Sequence, residues 1–229
     1  MATVSNFGEG SVISVNGMEW IVLDRSEDRV LCLMKDRLGA LDFSYEDVEY
    51  ENNWGTSTVR EYLNNGFVQQ LGEECLVETE IRAVGDGICY GCSQDRAFLL
   101  TEIMWERFKK FIPPIDEPWI LCTPAKNYVE GEECSDRFIK CVTKEGNLSI
   151  VNVMNYVCTI RPAVVFKGDT IVDVCSGKTG VSKECVSNDN MALKEMVANA
   201  LGDLQEMKSA IVVYEKSITE LLKAVDDRL

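Results

Sequence analysis

Apolar and polar residues alternate over residues 11–15 and return over 18–24, and the two runs are joined by Asn16-Gly17, the strongest two-residue hairpin signal. A turn at Ser26-Glu27-Asp28 leads into a third apolar run over 30–34, which predicts a three-stranded antiparallel meander. Beyond an acidic, aromatic loop over 42–53 the spacing becomes helical. A hydroxyl cap in Thr56-Ser57-Thr58, apolar residues at Val59, Tyr62 and Leu63, and an Asn64-Asn65-Gly66 stop predict one short helix. A second helix or turn is expected between Phe67 and Val84, and residues 85–95 read as loop. A short strand over 98–100 precedes a helix capped by Thr101 and running to about Phe111, with Ile103, Met104, Phe108 and Phe111 as its buried face and Pro113-Pro114 as its end. Strands at 119–122, 138–142, 148–153 and 156–166, the first two separated by a loop rich in Glu and Gly, complete an α+β domain whose sheet is mixed but mostly antiparallel.

The last forty residues differ in kind. Leu193, Val197, Ala200, Leu204, Met207, Ile211, Tyr214, Ile218, Leu221 and Val225 follow an unbroken four-three spacing, a heptad seam. Val197, Leu204, Ile211, Ile218 and Val225 take the a positions; Leu193, Ala200, Met207, Tyr214 and Leu221 take d. The predicted helix is roughly 50 Å long and associates with its own kind as a dimer or trimer. Leu201 and Leu222 at e widen the stripe, which leaves packing along the chain's own head as the alternative. The expected organisation is a head over residues 1–167, a linker or extra hairpin over 168–189, and a coiled-coil helix over 190–229.

Charge and composition narrow the function. The 229 residues carry 38 acidic and 23 basic side chains, a net charge of −15, and no histidine. The negative balance argues against nucleic-acid and anionic-membrane partners. Without histidine there is no Ser-His-Asp or Cys-His pair, no HExxH metal helix and no imidazole acid or base. No apolar run reaches membrane-spanning length, and residues 1–10 carry no signal-peptide pattern. The expected location is the cytoplasm of the producing cell, or a particle such as a virion assembled there.

Of ten cysteines, Cys32, Cys122 and Cys158 sit in apolar runs as small buried hydrophobes. Cys89-Tyr90-Gly91-Cys92 alone has metal-ligand spacing, with Gly91 permitting the tight turn of a thiolate zinc site. A structural zinc at Cys89 and Cys92 needs two more ligands, for which Cys122, Cys134 and Cys141 are the candidates. Otherwise the pair reads as a redox dithiol or an inert loop, and no cofactor is expected. Trp20, Trp54 and Trp119 read as core anchors whose indole N–H groups need partners. Arg60 and Arg161 read as buried cations paired with Asp24 or Asp95.

Four segments in order match a known pattern: Trp20-Ile21-Val22-Leu23-Asp24; Trp54-Gly55-Thr56-Ser57-Thr58-Val59-Arg60-Glu61-Tyr62-Leu63-Asn64; Asp95-Arg96-Ala97-Phe98-Leu99-Leu100-Thr101; and Ile160-Arg161-Pro162-Ala163-Val164-Val165. Over about residues 7 to 167 the chain resembles domain-of-unknown-function family 6273, found in Firmicutes and their phages. Two elements depart from that family. Its W-W-L-R-S-P-G stretch stands here as Trp119-Ile120-Leu121-Cys122-Thr123-Pro124-Ala125, without the second Trp and the Arg, and Tyr62 stands where Trp is usual. The resemblance implies a C-type-lectin-like head, and with it a phage or prophage virion or tail protein. Glu117-Pro118 is followed by Trp119 in place of a calcium-ligating Asn, so calcium-dependent sugar binding is not expected. The leading expectation is a non-enzymatic module that displays a binding head for a protein or host-surface ligand on an oligomerising helix. The alternatives are an acidic phage-encoded inhibitor of a host defence nuclease and a Cys-dependent metal or redox protein.

Overall fold

A computed structural model of the chain describes residues 2–26, 28–44, 50–129, 132–153 and 159–173, all within one unit, Met1–Cys175. The heptad seam, Cys158, Cys175, Cys185 and most of the acidic run at 45–51 lie outside the described residues.

The meander forms where its turn chemistry places it. Strands β1 (Val12–Val15), β2 (Met18–Arg25) and β3 (Arg29–Met34) pair antiparallel in sequence. Asn16 and Gly17 both take positive φ, 51° and 73°, the conformation whose twist matches the flanking strands. A bulge between Val22 and Asp24 shifts the β2–β3 register by one residue. Trp20, Ile21, Val22 and Leu23 are all buried, so both faces of β2 are covered.

The first helix starts as predicted and stops later. Ser57 accepts the N–H of Arg60 and opens α1 (Thr58–Tyr62). The chain then makes a π turn over Leu63–Phe67 and continues as α2 (Val68–Leu71), ending at Gly72, where φ is 88°. The Asn64-Asn65-Gly66 sequence is therefore no stop. Asn64 turns its side chain to other work, donating to the carbonyls of Arg60 and Ala97 and accepting from the N–H groups of Arg96 and Ala97. The buried residues Val59, Leu63, Phe67 and Leu71 recur every four positions. On a plain α-helix that spacing drifts by roughly 40° per step, and the extra residue of the π turn takes up the drift. Tyr62, expected on the buried face, is exposed. Phe67 meets Trp20, which stands edge-on to Phe166, so this helix packs on the Trp20 face of the sheet.

Residues 85–95, read as loop, join residues 79–84 in a nested β ribbon. Strands β4 (Thr79–Ile81) and β7 (Ser93–Asp95) enclose the tighter hairpin of β5 (Val84–Gly85) and β6 (Ile88–Cys89), which turns through Asp86 and Gly87 at positive φ. After it comes the short β8 (Ala97–Phe98). The ribbon has little apolar alternation because it is held by backbone pairing and by Asp86. That carboxylate accepts the N–H of Lys126 and the ammonium of Lys140, each at 3.0 Å.

Thr101 caps α3 (Glu102–Phe108) by accepting from Met104, as expected. The inward face, however, is Trp105 and Phe108, with Met104 and Phe111 half-buried, while Ile103 is 71% exposed. The reading of Ile103 as buried is thus corrected. Strands β9 (Trp119–Val129), β10 (Glu132–Val142) and β11 (Leu148–Asn152) make a second sheet, and β12 (Ala163–Lys167) closes the first. In the Glu- and Gly-rich stretch expected as loop, the described residues 132–134 pair with 127–129; the β9–β10 register shifts between Cys134 and Phe138 and again between Ile139 and Cys141. The five-stranded sheet runs β1-β2-β3-β12-β8 and the three-stranded sheet β11-β10-β9, every pair antiparallel. The architecture is α+β, as read from the pattern. No described helix is long and apolar enough to cross a membrane.

Gly85 fits where nothing larger does, since a Cβ there falls within contact distance of the Pro124 carbonyl and the Thr123 methyl. Gly85→Ala is expected to cost about 1–3 kcal/mol, read as a lower urea midpoint, whereas Gly8→Ala, with open space around it, leaves the midpoint unchanged.

Candidate functional site

Three groups of chemistry-bearing residues emerge, two of them internal. The first centres on Asp95, at the end of β7 and 1% exposed. Its carboxylate accepts from Trp54 Nε1 at 2.9 Å, Arg60 Nε at 2.6 Å and Ser93 Oγ at 2.5 Å. A buried carboxylate needs this many donors to offset its lost hydration. Arg60 spends two further N–H groups on the carbonyls of Gly55 and Gln94. Of the two acids named for Arg60, Asp95 is the partner. Asp24 instead faces Arg107 at 3.5 Å on the surface.

Arg161 is fully buried, and its pairing differs from expectation. In place of a hydrogen-bonded carboxylate it donates to the carbonyls of Met34 at 3.2 Å, Lys35 at 2.7 Å and Pro113 at 3.4 Å, and it lies over the Trp119 ring at 5.0 Å. Burial lowers its pKa to about 10, so it stays charged at neutral pH. Pro162 follows with its carbonyl accepting from Met34 N, which fixes the entry to β12. Trp20, Trp54 and Trp119 are core anchors as expected. Trp54 finds Asp95 for its N–H, whereas Trp20 Nε1 has no hydrogen-bond partner among the described residues and packs among Phe67 and Phe166.

The third group lies at the surface, on the β ribbon. Cys89 ends β6, Cys92 immediately precedes β7, and both are exposed. Between them Gly91 takes φ 107°, and its N–H approaches the Cys89 sulfur. Arg82, on the opposite limb next to Ile81, sets its guanidinium near the Cys89 sulfur. Those two donors hold the Cys89 thiol below its usual pKa, with the Gly91 N–H the larger influence. Tyr90 turns away and donates to Oδ1 of the fully buried Asn52 at 2.8 Å; Asn52 in turn donates to the carbonyls of Ser135 and Phe138. A shallow pocket bordered by Trp54, Ile81, Tyr90, Cys92 and Ser93 adjoins the pair.

Zinc ligation does not follow from this arrangement. Cys122 is buried and donates to the Leu99 carbonyl, Cys134 to Asp136, and Cys141 is buried in β10 opposite Ile120. Among the described residues no three metal-binding side chains gather. Arg82 and Asn52 were not read from the sequence. Asp86-Gly87 is itself a hairpin dipeptide, and a hairpin centred there sets Arg82 across from the segment between Cys89 and Cys92.

An open cleft of about 490 Å³ lies elsewhere, lined by Asp36, Arg37, Pro114, Ile115, Asp116 and Glu117. Arg37 and Glu117 form an ion pair within it. Comparison of the chain with protein-family models, curated proteins and solved structures finds no match.

If Asp95 is the structural hub, Asp95→Ala is expected to lose about 3–5 kcal/mol, because it strands the Arg60 guanidinium. Trp54→Phe removes one donor from a carboxylate that keeps two and is expected to lose about 1–2 kcal/mol from the missing bond. Urea midpoints measure the gap, and equal losses in the two variants would overturn the assignment.

Proposed function

We propose that the chain is a non-enzymatic interaction module: a C-type-lectin-like head, of the family 6273 kind, displayed on an oligomerising C-terminal helix. The observation that carries this reading is the heptad seam from Leu193 to Val225. It gains support from the head, where Trp54, Arg60, Asp95 and Arg161 are engaged in internal ties and hold loops in place. A rigid scaffold with fixed loops is the usual platform for recognition. The open cleft between Asp36-Arg37 and residues 114–117 is the surface we assign to the ligand, a protein or host-surface group. Joining two or three heads raises avidity through effective concentration without any new contact. A phage or prophage origin, with a place in the virion or tail, belongs to the same proposal and rests on the resemblance over residues 7–167.

Native mass spectrometry of the full chain is expected to give a dimer or trimer, and a chain ending at Asp189 a monomer. A monomeric full-length protein, or an oligomer unchanged by the truncation, refutes display on a self-associating helix.

A further inference from the structure

The two exposed cysteines of the ribbon are used by nothing above. Ile81 pairs with Ser93 and Val84 with Cys89, so Arg82, on the limb between Ile81 and Val84, lies across from the stretch that carries both cysteines, and its charge bears on both sulfurs. Cys89 also takes the Gly91 N–H, so two donors converge on one exposed sulfur. A cation and a backbone N–H beside an accessible thiol favour thiolate, the form that attacks disulfides. The other described cysteines offer a contrast. Cys32 and Cys122 are buried and their thiols are pushed up by burial; Cys75 and Cys134 are also raised, in both cases chiefly by burial. Nucleophilic character is thus concentrated at Cys89, and a second thiol stands three residues away facing the same cation.

We propose that Cys89 and Cys92 form a thiol–disulfide exchange site for low-molecular-weight disulfides, with Cys89 attacking and Cys92 resolving. In the first step the Cys89 thiolate attacks one sulfur of the small disulfide. The bond between Cys89 and that sulfur forms, the disulfide's own S–S bond breaks, and one small thiolate leaves. In the second step Cys92 gives up its proton to solvent and attacks the Cys89 sulfur, and the second small thiolate leaves. Each departing thiolate takes up a proton according to its pKa. Two electrons pass from the two cysteines to the small disulfide, which becomes two thiols, while the protein acquires one Cys89–Cys92 disulfide. Arg82 stabilises the attacking thiolate and so acts as a positioning residue. This exchange is independent of the head's ligand and of its oligomeric state.

The test uses the reduced full-length chain and glutathione disulfide as the probe, quenched with acid at intervals and digested with trypsin. Cleavage after Arg82 and Arg96 releases residues 83–96, which contain Cys89 and Cys92 and no other cysteine. This peptide is expected to become an internal disulfide on the order of tenfold faster than Cys75 or Cys134 is modified. Cys92→Ser is expected to stop at a stable glutathione adduct on Cys89. Cys89→Ser is expected to lose the fast phase, and Arg82→Gln, whose tryptic peptide spans residues 61–96 and is sequenced to separate Cys75 from the pair, to slow it roughly threefold. Circular dichroism of each variant checks that the fold is kept; all three positions are exposed, so folded protein is expected. The proposal is overturned if residues 83–96 react no faster than Cys75, if wild type and Cys92→Ser accumulate the same mixed disulfide, or if folded Arg82→Gln reacts at the wild-type rate.

Discussion

The carboxylate of Asp95 is buried in the core, and the chain supplies it with donors from three directions. Trp54 comes from the turn ahead of the first helix, Arg60 from the helix itself, and Ser93 from the strand that carries Asp95. Each donor fixes a different segment, so satisfying one buried group positions the helix against the β ribbon. Asn64 extends the tie one helical turn further, to the backbone of Arg96 and Ala97. Arg161 applies the same logic with the opposite sign. Its guanidinium gathers carbonyls from the end of β3 and from the segment after α3, and stacks on Trp119 at the start of β9. Residues far apart in sequence meet because these two buried groups collect them.

The parts of the fold legible in the sequence are those with local chemistry. Asn16-Gly17 dictates its turn, Ser57 and Thr101 dictate their caps, and Arg60 with Asp95 was among the pairings readable from residue type. What stayed hidden is structure held by backbone hydrogen bonds outside the core. The ribbon over 79–95 and the polar part of the β9–β10 hairpin have no apolar alternation to betray them. Arg161 illustrates a second blind spot, since its acceptors are carbonyls, which every residue owns and no sequence advertises. Ile103 illustrates a third: helical spacing admits two adjacent faces, and Trp105 claimed the buried one.

The ribbon is anchored differently along its length. Its turn is held to β9 and β10 through Asp86, while its middle is held through Tyr90 to Asn52, which reaches the bulged part of β10. Cys89 therefore sits between two fixed points, and Cys92 between Tyr90 and the anchored Asp95. An exposed stretch with few apolar contacts keeps a defined geometry because polar ties hold it on either side.

The π turn over Leu63–Phe67 holds one residue more than an α-helix needs to keep its buried stripe on one side. Removing one residue at Asn65 or Gly66 would convert the buried set from spacings of four, four, one and three to four, three, one and three, the stripe an ordinary α-helix presents on one side. The flanking residues Val59 and Leu63, and then Phe67, Val68 and Leu71, would keep their places on the sheet. The turn thus has the form of a single extra residue absorbed without disturbing the core on either side of it.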